Sequence, residues 1–296
     1  MKAAIDIGSN SILLTIVDDD GRLILDTVTV IGLGRGLGDR GSFRPDRMDA
    51  AEACLARYVG IAVDHGVQPW SVKAVATSAA RRAMNAQTFF NKLQRTLGLK
   101  TRIISGDEEA RLTWMGARRD LELPAGPLMV VDLGGGSTEI IVSNGEEIAA
   151  RVSLEVGSVR LTEQFLGTDV VRSADLTRAR AHIEALLANE NLEARPRSVI
   201  GVAGTVTTLY AMRQGLHEYD SSKIHGGRLS RADLASLIDQ LLPMNPEQRR
   251  QAAPIAPDRA DYLLAGAMIL DRALNDARRP SMIVSDRGLR YGLLDE

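Results

Sequence analysis

Two short segments of the chain pair an acidic residue with a run of small ones. The first is Ala4-Ile5-Asp6-Ile7-Gly8-Ser9-Asn10-Ser11, and the second is Val130-Val131-Asp132-Leu133-Gly134-Gly135-Gly136-Ser137. Gly8, Ser9, Asn10 and Ser11, and likewise Gly134, Gly135, Gly136 and Ser137, are small enough for a phosphate to reach backbone N–H groups. Each charge-assisted hydrogen bond of that kind contributes ~1.5–3 kcal/mol, so several hold a polyanion without a lysine. A tight hairpin favours the same residues for its own sake. The repetition of the pattern is what favours phosphate over a purely structural turn. The carboxylates need a separate account, because a unit charge ~4 Å from phosphate is repelled by about 4 kcal/mol at an effective dielectric of ~20. A hard cation with oxygen ligands reverses that sign, and Mg²⁺ is the usual choice. Asp132 and Glu139 are therefore the expected metal ligands. Asp6 has Leu13 where the second segment has Glu139, and a carboxylate that accepts hydrogen bonds at its own turn is an equal reading of it.

A third constellation is Ile104-Ser105-Gly106-Asp107-Glu108-Glu109-Ala110. Ser105 reads as a helix N-cap, and Glu108 three residues later completes a capping box. Glu109 is then surplus, available to deprotonate a water that attacks phosphorus; its bland reading is a favourable charge at a helix N-terminus. Thr77, Ser78 and Arg81 follow a strand and open a helix, as do Gly204, Thr205 and Thr208, and helix N-termini attract anions. Arg81 is either a clamp for a terminal phosphate or an ordinary surface arginine.

The elements that position these groups repeat too. Asp132 follows Asp6 by 132 − 6 = 126 positions, and Val202-Ala203-Gly204-Thr205-Val206 follows Val75-Ala76-Thr77-Ser78-Ala79 by 202 − 75 = 127. Strands are expected at 2–7, 12–17 and 23–31, with a turn at Asp18–Gly21, followed by a helix over 47–63, a strand at 71–77, helix over 79–97, a strand at 101–104 and a helix over 106–119. The second half repeats the order: strands near 128–133, 138–144 and 147–156, helices near 158–166 and 173–189, a strand at 198–203 and a helix at 205–212. Helices over 234–242 and 262–273, a strand at 281–285 and a helix at 289–294 complete it. Leu123-Pro124-Ala125-Gly126-Pro127 breaks both helix and strand, so the expected domains are 1–124 and 125–296. Three antiparallel strands followed by alternating helix and strand, twice, make an α/β duplicate.

Composition excludes several classes. With 36 Lys+Arg against 38 Asp+Glu the formal charge is −2, and the arginine pairs 81–82, 118–119 and 249–250 form no dense basic run, so nucleic acid is not an expected partner. Cys54 is the one cysteine and the four histidines are scattered, which excludes an internal disulfide and a zinc site. No run is long enough to span a bilayer, and no leader precedes the first strand. A cytoplasmic protein is the expectation.

The motifs together resemble the exopolyphosphatase / guanosine pentaphosphate phosphohydrolase (Ppx/GppA) family, a branch of the actin–Hsp70–sugar kinase superfamily. The resemblance rests on Asp6–Ser11, Ala76-Thr77-Ser78-Ala79-Ala80-Arg81, Ile104–Ala110, Asp132–Glu139, Gly201–Thr205, Ile224-His225-Gly226 and Val284–Leu289, which span nearly the whole chain. It implies duplicated ribonuclease-H-like domains flanking an interdomain cleft, in the short two-domain form. It implies Mg²⁺-dependent hydrolysis of a terminal phosphoanhydride, of polyphosphate (short chains first) or of a phosphorylated guanosine nucleotide, with Glu109 as base and Asp132 and Glu139 placing metal and water. It allows a homodimer. Two positions depart from the family pattern: Leu13 stands where a basic or polar residue is common, and Gly32-Leu33-Gly34-Arg35-Gly36-Leu37 begins with glycine in place of arginine. Their loss of positive charge supports a rival, a binding or regulatory module that closes on polyphosphate or nucleotide with little hydrolysis. A superfamily kinase is disfavoured by the Glu109, Asp132 and Glu139 set and the Ser285-Asp286 ending.

Overall fold

The computed structural model describes residues 1–37, 41–167, 169–188, 195–253 and 256–296. The chain divides into two compact units, Met1–Gly116 with Leu289–Glu296, and Ala117–Gly288.

The first unit opens with strands β1 (Lys2–Ile7), β2 (Ser11–Val17) and β3 (Leu23–Val30). Helix α1 (Pro45–Asp64), strand β4 (Lys73–Ala76), helices α2 (Ser78–Arg82) and α3 (Ala86–Leu97), strand β5 (Thr101–Ile103) and helix α4 (Gly106–Ala117) follow. The sheet order is β3-β2-β1-β4-β5, with the first three strands antiparallel and β4 and β5 parallel to β1. Alternation along the strands divides the apolar residues between two faces. Ile5, Ile7, Ile12, Leu14 and Ile16 share a core with Leu55 and Tyr58 of α1 and Phe90 and Leu93 of α3. Ala4, Val17 and Val75 on the opposite face meet Ile104, Leu112, Leu289, Leu293 and Leu294. The single helix expected over 79–97 is instead two. Asn85 stops the first by bonding the Phe43 backbone twice, accepting from its N–H at 2.8 Å and donating to its carbonyl at 3.1 Å.

The second unit contains β6 (Leu128–Leu133), β7 (Thr138–Ser143), β8 (Ile148–Leu154), α5 (Ser158–Leu161), α6 (Ser173–Ala188) and β9 (Ser198–Val202). It continues with α7 (Gly204–Gln214), α8 (Ser221–Ile224), β10 (Arg228–Ser230), α9 (Arg231–Leu241), α10 (Pro246–Ala252), α11 (Leu263–Asp276) and β11 (Ser281–Val284). Position 189, the last of the expected 173–189 helix, lies outside the described residues. The sheet order β10-β11-β9-β6-β7-β8 is that of the first unit with β10 added at the far edge. The expected duplication is therefore real: each unit has the ribonuclease-H-like strand order, three antiparallel strands followed by two parallel ones. Elements α8, β10 and α10 are additions that the sequence reading did not anticipate. Among the described residues no helix is long and apolar enough to cross a membrane.

The unit limits differ from the expected break at 124/125. Residues after α4 already belong to the second unit: Arg118 donates to the Gly145 carbonyl at 3.2 Å, and the Arg119 carbonyl meets His225 Nε2 at 3.0 Å. The last helix, α12 (Leu289–Asp295), returns to the first unit because its leucines complete the core against β1, β2 and β4.

Candidate functional site

Both signature hairpins close in the same way. In the first, the Gly8 N–H donates to the Ser11 carbonyl at 3.0 Å; in the second, the Gly134 N–H donates to the Ser137 carbonyl at 3.0 Å. The strand registers superpose too, pairing Asp6 with Leu13 and Asp132 with Glu139.

The turn carbonyls are drawn into the fold. Ser9 O accepts from Gly34 N–H at 2.8 Å, and Asn10 O accepts from Ile31 and Gly32 N–H, both at 2.8 Å. In the second unit Gly134 O accepts from Ser158 N–H at 3.0 Å, and Gly135 O accepts from Val159 and Arg160 N–H at 2.9 and 3.0 Å. A planar trans peptide points its N–H opposite to its carbonyl, and no peptide bond among the described residues is cis. The N–H groups of Asn10, Gly135 and Gly136 are thereby turned away from the segments that hold those carbonyls, the orientation an anion needs. Gly157 makes the second arrangement fit, since a Cβ there would lie 2.5 Å from the Gly135 carbonyl. Nothing in the sequence reading singled it out.

Asp132 and Glu139 sit directly opposite each other on β6 and β7, so their side chains share a face. Like charges in that position are destabilising, and the arrangement is favourable with a cation between them. Glu139 Oε1 also accepts from Ser153 Oγ, its neighbour on β8, at 3.0 Å. Among the described residues no group of three or more His, Cys, Asp or Glu side chains is gathered for a metal. Two opposed carboxylates beside a turn with outward N–H groups are a donor set that would fit a hard cation such as Mg²⁺, which keeps several waters of its own.

In the first unit, Ser105 Oγ accepts from Glu108 N–H at 3.1 Å, which is half of the expected capping box. The reciprocal arm is replaced by an ion pair from Glu108 to Arg102 at 2.6 Å. Glu109 receives the Arg81 guanidinium at 2.6 Å, and the same Arg81 nitrogen donates to the Ile104 carbonyl at 3.0 Å. Arg81 is thus neither a free surface residue nor a free clamp but the partner of the expected base. Asp6 lies within the field of Glu109. Burial pushes its carboxyl up to about 7, Glu109 adds to the rise and Arg290 opposes it. Its Oδ1 is buried without a hydrogen-bond partner.

At the strand-to-helix junctions, Thr77 N–H donates to the Ile7 carbonyl at 3.3 Å, which ties that junction to the first hairpin. Ser78 begins α2. Ala203 has φ of +81°, and Gly204 opens α7. A Cβ at Gly204 would fall 1.1 Å from the Arg259 guanidinium, and one at Gly266 would fall 2.2 Å from the Thr205 methyl. Glycine at 204 is what admits Arg259, a cation that the sequence reading did not single out. Arg35 similarly lies over Gly32, whose Cβ would meet the Arg35 Nε at 2.5 Å. With φ of +69°, position 32 favours glycine, and the positive charge missing there is supplied by its neighbour.

The sequence profile of the Ppx/GppA phosphatase family matches residues 15–296. Exopolyphosphatase 2 of Mycobacterium tuberculosis is 35% identical over 313 aligned residues, covering 99% of this chain and 96% of the relative. The crystal structure of the Aquifex aeolicus Ppx/GppA family member superposes with a TM-score of 0.85 at 33% identity, covering 99% of this chain and 95% of that one. A Cytophaga hutchinsonii exopolyphosphatase has a TM-score of 0.85 at 27% identity, covering 98% and 95%.

Proposed function

The chain belongs to the Ppx/GppA phosphatase family, and we propose that it releases the terminal phosphoryl group of inorganic polyphosphate by Mg²⁺-assisted attack of water. The observation that carries the reading is the opposed Asp132 and Glu139 pair beside the Gly134–Gly136 turn. In this reading Asp132 and Glu139 hold the metal, which when bound neutralises phosphate charge. In each unit the turn N–H groups, of Asn10 in the first and of Gly135 and Gly136 in the second, are offered to phosphoryl oxygens; Gly8, Ser9 and Ser11, and Ser137, shape their own turns, and Thr77 and Ser78, and Gly204 and Thr205, the helix starts of their own units. Glu109 accepts the proton of the attacking water at its carboxylate. An arriving phosphoryl group competes for Arg81, which frees Glu109 and gives Arg81 its clamping role. Short polyphosphate and guanosine pentaphosphate both present the terminal anhydride this chemistry requires.

The decisive variant is Glu109→Gln. Phosphate release should fall by ~10²–10⁴-fold, the usual contribution of a general base, while the thermal midpoint holds. Full activity in that variant removes Glu109 from the mechanism. The assay panel is short polyphosphate, long polyphosphate, guanosine pentaphosphate and ATP, each with and without Mg²⁺. The 2.6 Å contact of Arg81 with Glu109 favours one rival, a polyphosphate- or nucleotide-binding module whose base stays masked. Rapid release from any member of the panel eliminates it.

A further inference from the structure

A sheet ends in edge strands whose outer N–H and C=O groups lack a neighbour, and such an edge pairs with another chain unless it is blunted. The edges are β3 and β5 in the first unit and β10 and β8 in the second. Three of them are blunted. Strands β5 and β10 are three residues long and carry the exposed Arg102 and Arg228. Strand β8 exposes Ala149, Ala150, Arg151 and Ser153, an arginine among small side chains. Strand β3 differs from all three: it has eight residues and no lysine, arginine or proline. Its Leu23, Ile24, Val28 and Val30 are 39%, 43%, 43% and 49% exposed. They are four of the ten large apolar side chains exposed among the described residues, a concentration that single scattered surface residues do not produce. The one charge on the strand, Asp26, is taken up by Arg290 and Thr15. A bulge interrupts the β2–β3 register at Ile24, between the pairs Val17↔Leu23 and Ile16↔Leu25, and leaves Leu25–Val30 regular.

The charges at the two ends of β3 say what fits it. The far end is basic. Arg47 donates to the Ile31 carbonyl at 3.1 Å, Arg57 donates to Thr29 Oγ1 at 2.7 Å, and Arg35 lies over Gly32. Arg44 joins them, against Asp46 and Asp49. The near end is the turn Asp18-Asp19-Asp20-Gly21-Arg22, where Asp19 receives the Met1 ammonium at 2.6 Å and Asp20 is exposed. A parallel neighbour would set the arginines beside arginines. An antiparallel one sets them beside the three carboxylates, at both ends at once.

We propose that β3 is a self-association edge: two copies of this chain pair their β3 strands antiparallel about a two-fold axis, joining their five-stranded sheets into one. An axis normal to the sheet through Thr27 matches residues of the same face. It sets Asp26 opposite Val28 and Leu25 opposite Thr29, and brings Val30 beside Ile24. The inference stands independently of the hydrolytic reading.

The test is sedimentation of the full chain from micromolar to near-millimolar concentration, read as mass. The wild type should pass from the mass of one chain to that of two and stop, since the symmetric contact uses up the edge. Val28→Lys gives β3 the kind of charge that the other edges carry and should raise the dissociation constant roughly tenfold or more, because a symmetric contact feels each change twice. Ala150→Lys on β8 should leave that constant unchanged. Should Val28→Lys fail to fold, Ile24→Lys takes its place with the same two outcomes. Charge reversal reads the direction of pairing: Asp20→Arg and Arg35→Asp should each weaken the dimer, and the double variant should regain most of the loss. One chain mass at every concentration overturns the proposal. So does growth beyond two copies, a dimer indifferent to the lysine on β3, or a double reversal no tighter than the single ones.

Discussion

Asp6 and the Asp132/Glu139 pair are similar carboxylates placed in different surroundings, and their chemistry should differ accordingly. The folded chain binds a proton at Asp6 more tightly than the unfolded chain does, since the carboxyl is raised from 3.8 to about 7. Its stabilising contribution is therefore complete below pH ~4 and is lost as the pH rises to ~7. Asp6→Asn should remove that dependence and raise stability at pH 8 by about 2–4 kcal/mol. Denaturant unfolding across pH 4–8 checks this, and an unchanged slope would contradict it. At Asp132 and Glu139 the repulsion is between two side chains on paired strands, which a bound cation would relieve. Mg²⁺ should raise the thermal midpoint of the wild-type protein and leave that of Glu139→Gln nearly unmoved, with binding read directly by calorimetry. The sequence showed the Asp132 and Glu139 residue types and spacing, and even the absence of a partner at Leu13, because antiparallel pairing across a short turn is local. It did not show the burial of Asp6 or the contact of Arg81 with Glu109, since both depend on elements far apart in the chain.

At the level of elements, close contacts explain several glycines. Gly292→Ala would drive a methyl group into the Leu112 carbonyl, an overpacking that typically costs ~1–3 kcal/mol or more. A fall of that size in unfolding free energy, with phosphate release reduced through the shift of α4, is the expected result. Near the other end of the connection, Asp286 is 3% exposed as a side chain and meets His225 Nδ1 at 3.1 Å, with Tyr219 donating to its other oxygen at 2.9 Å. Burial acts to raise the Asp286 carboxyl, but bonds from His225, Ser221 and Tyr219 outweigh it and hold it below the usual carboxylate range. That stability is present at neutral pH and lost as the pH falls through the acid range. Asp286→Asn should lower the midpoint at pH 7, and the difference from wild type should close below pH ~4. Strands and long helices were legible from periodicity. The split at Ala83–Asn85 was not, because the Asn85 side chain bonds Phe43, a residue distant in sequence. The signal for α10 was present in Asn245-Pro246-Glu247-Gln248, a capping box that the structure forms. It went unread because the helix is only seven residues long.

For the whole molecule, the duplication was readable from one offset, while the limits of the units were not. A proline- and glycine-rich stretch at 123–127 marks where local structure breaks, whereas the compact units follow which core each residue joins. Leu289, Leu293 and Leu294 are apolar in any context; only the assembled sheet shows that their partners are Ala4, Val17 and Val75. Deleting Leu289–Glu296 should therefore leave the second unit cooperative and expose the first to proteolysis, as limited digestion with mass spectrometry would reveal. The same interleaving imposes an order on biosynthesis. The amino-terminal sheet is translated first yet waits for its final strut until all of Ala117–Gly288 has been made, so the later-made unit is free to mature first while the Ala4, Val17 and Val75 face of the earlier one stays incompletely covered.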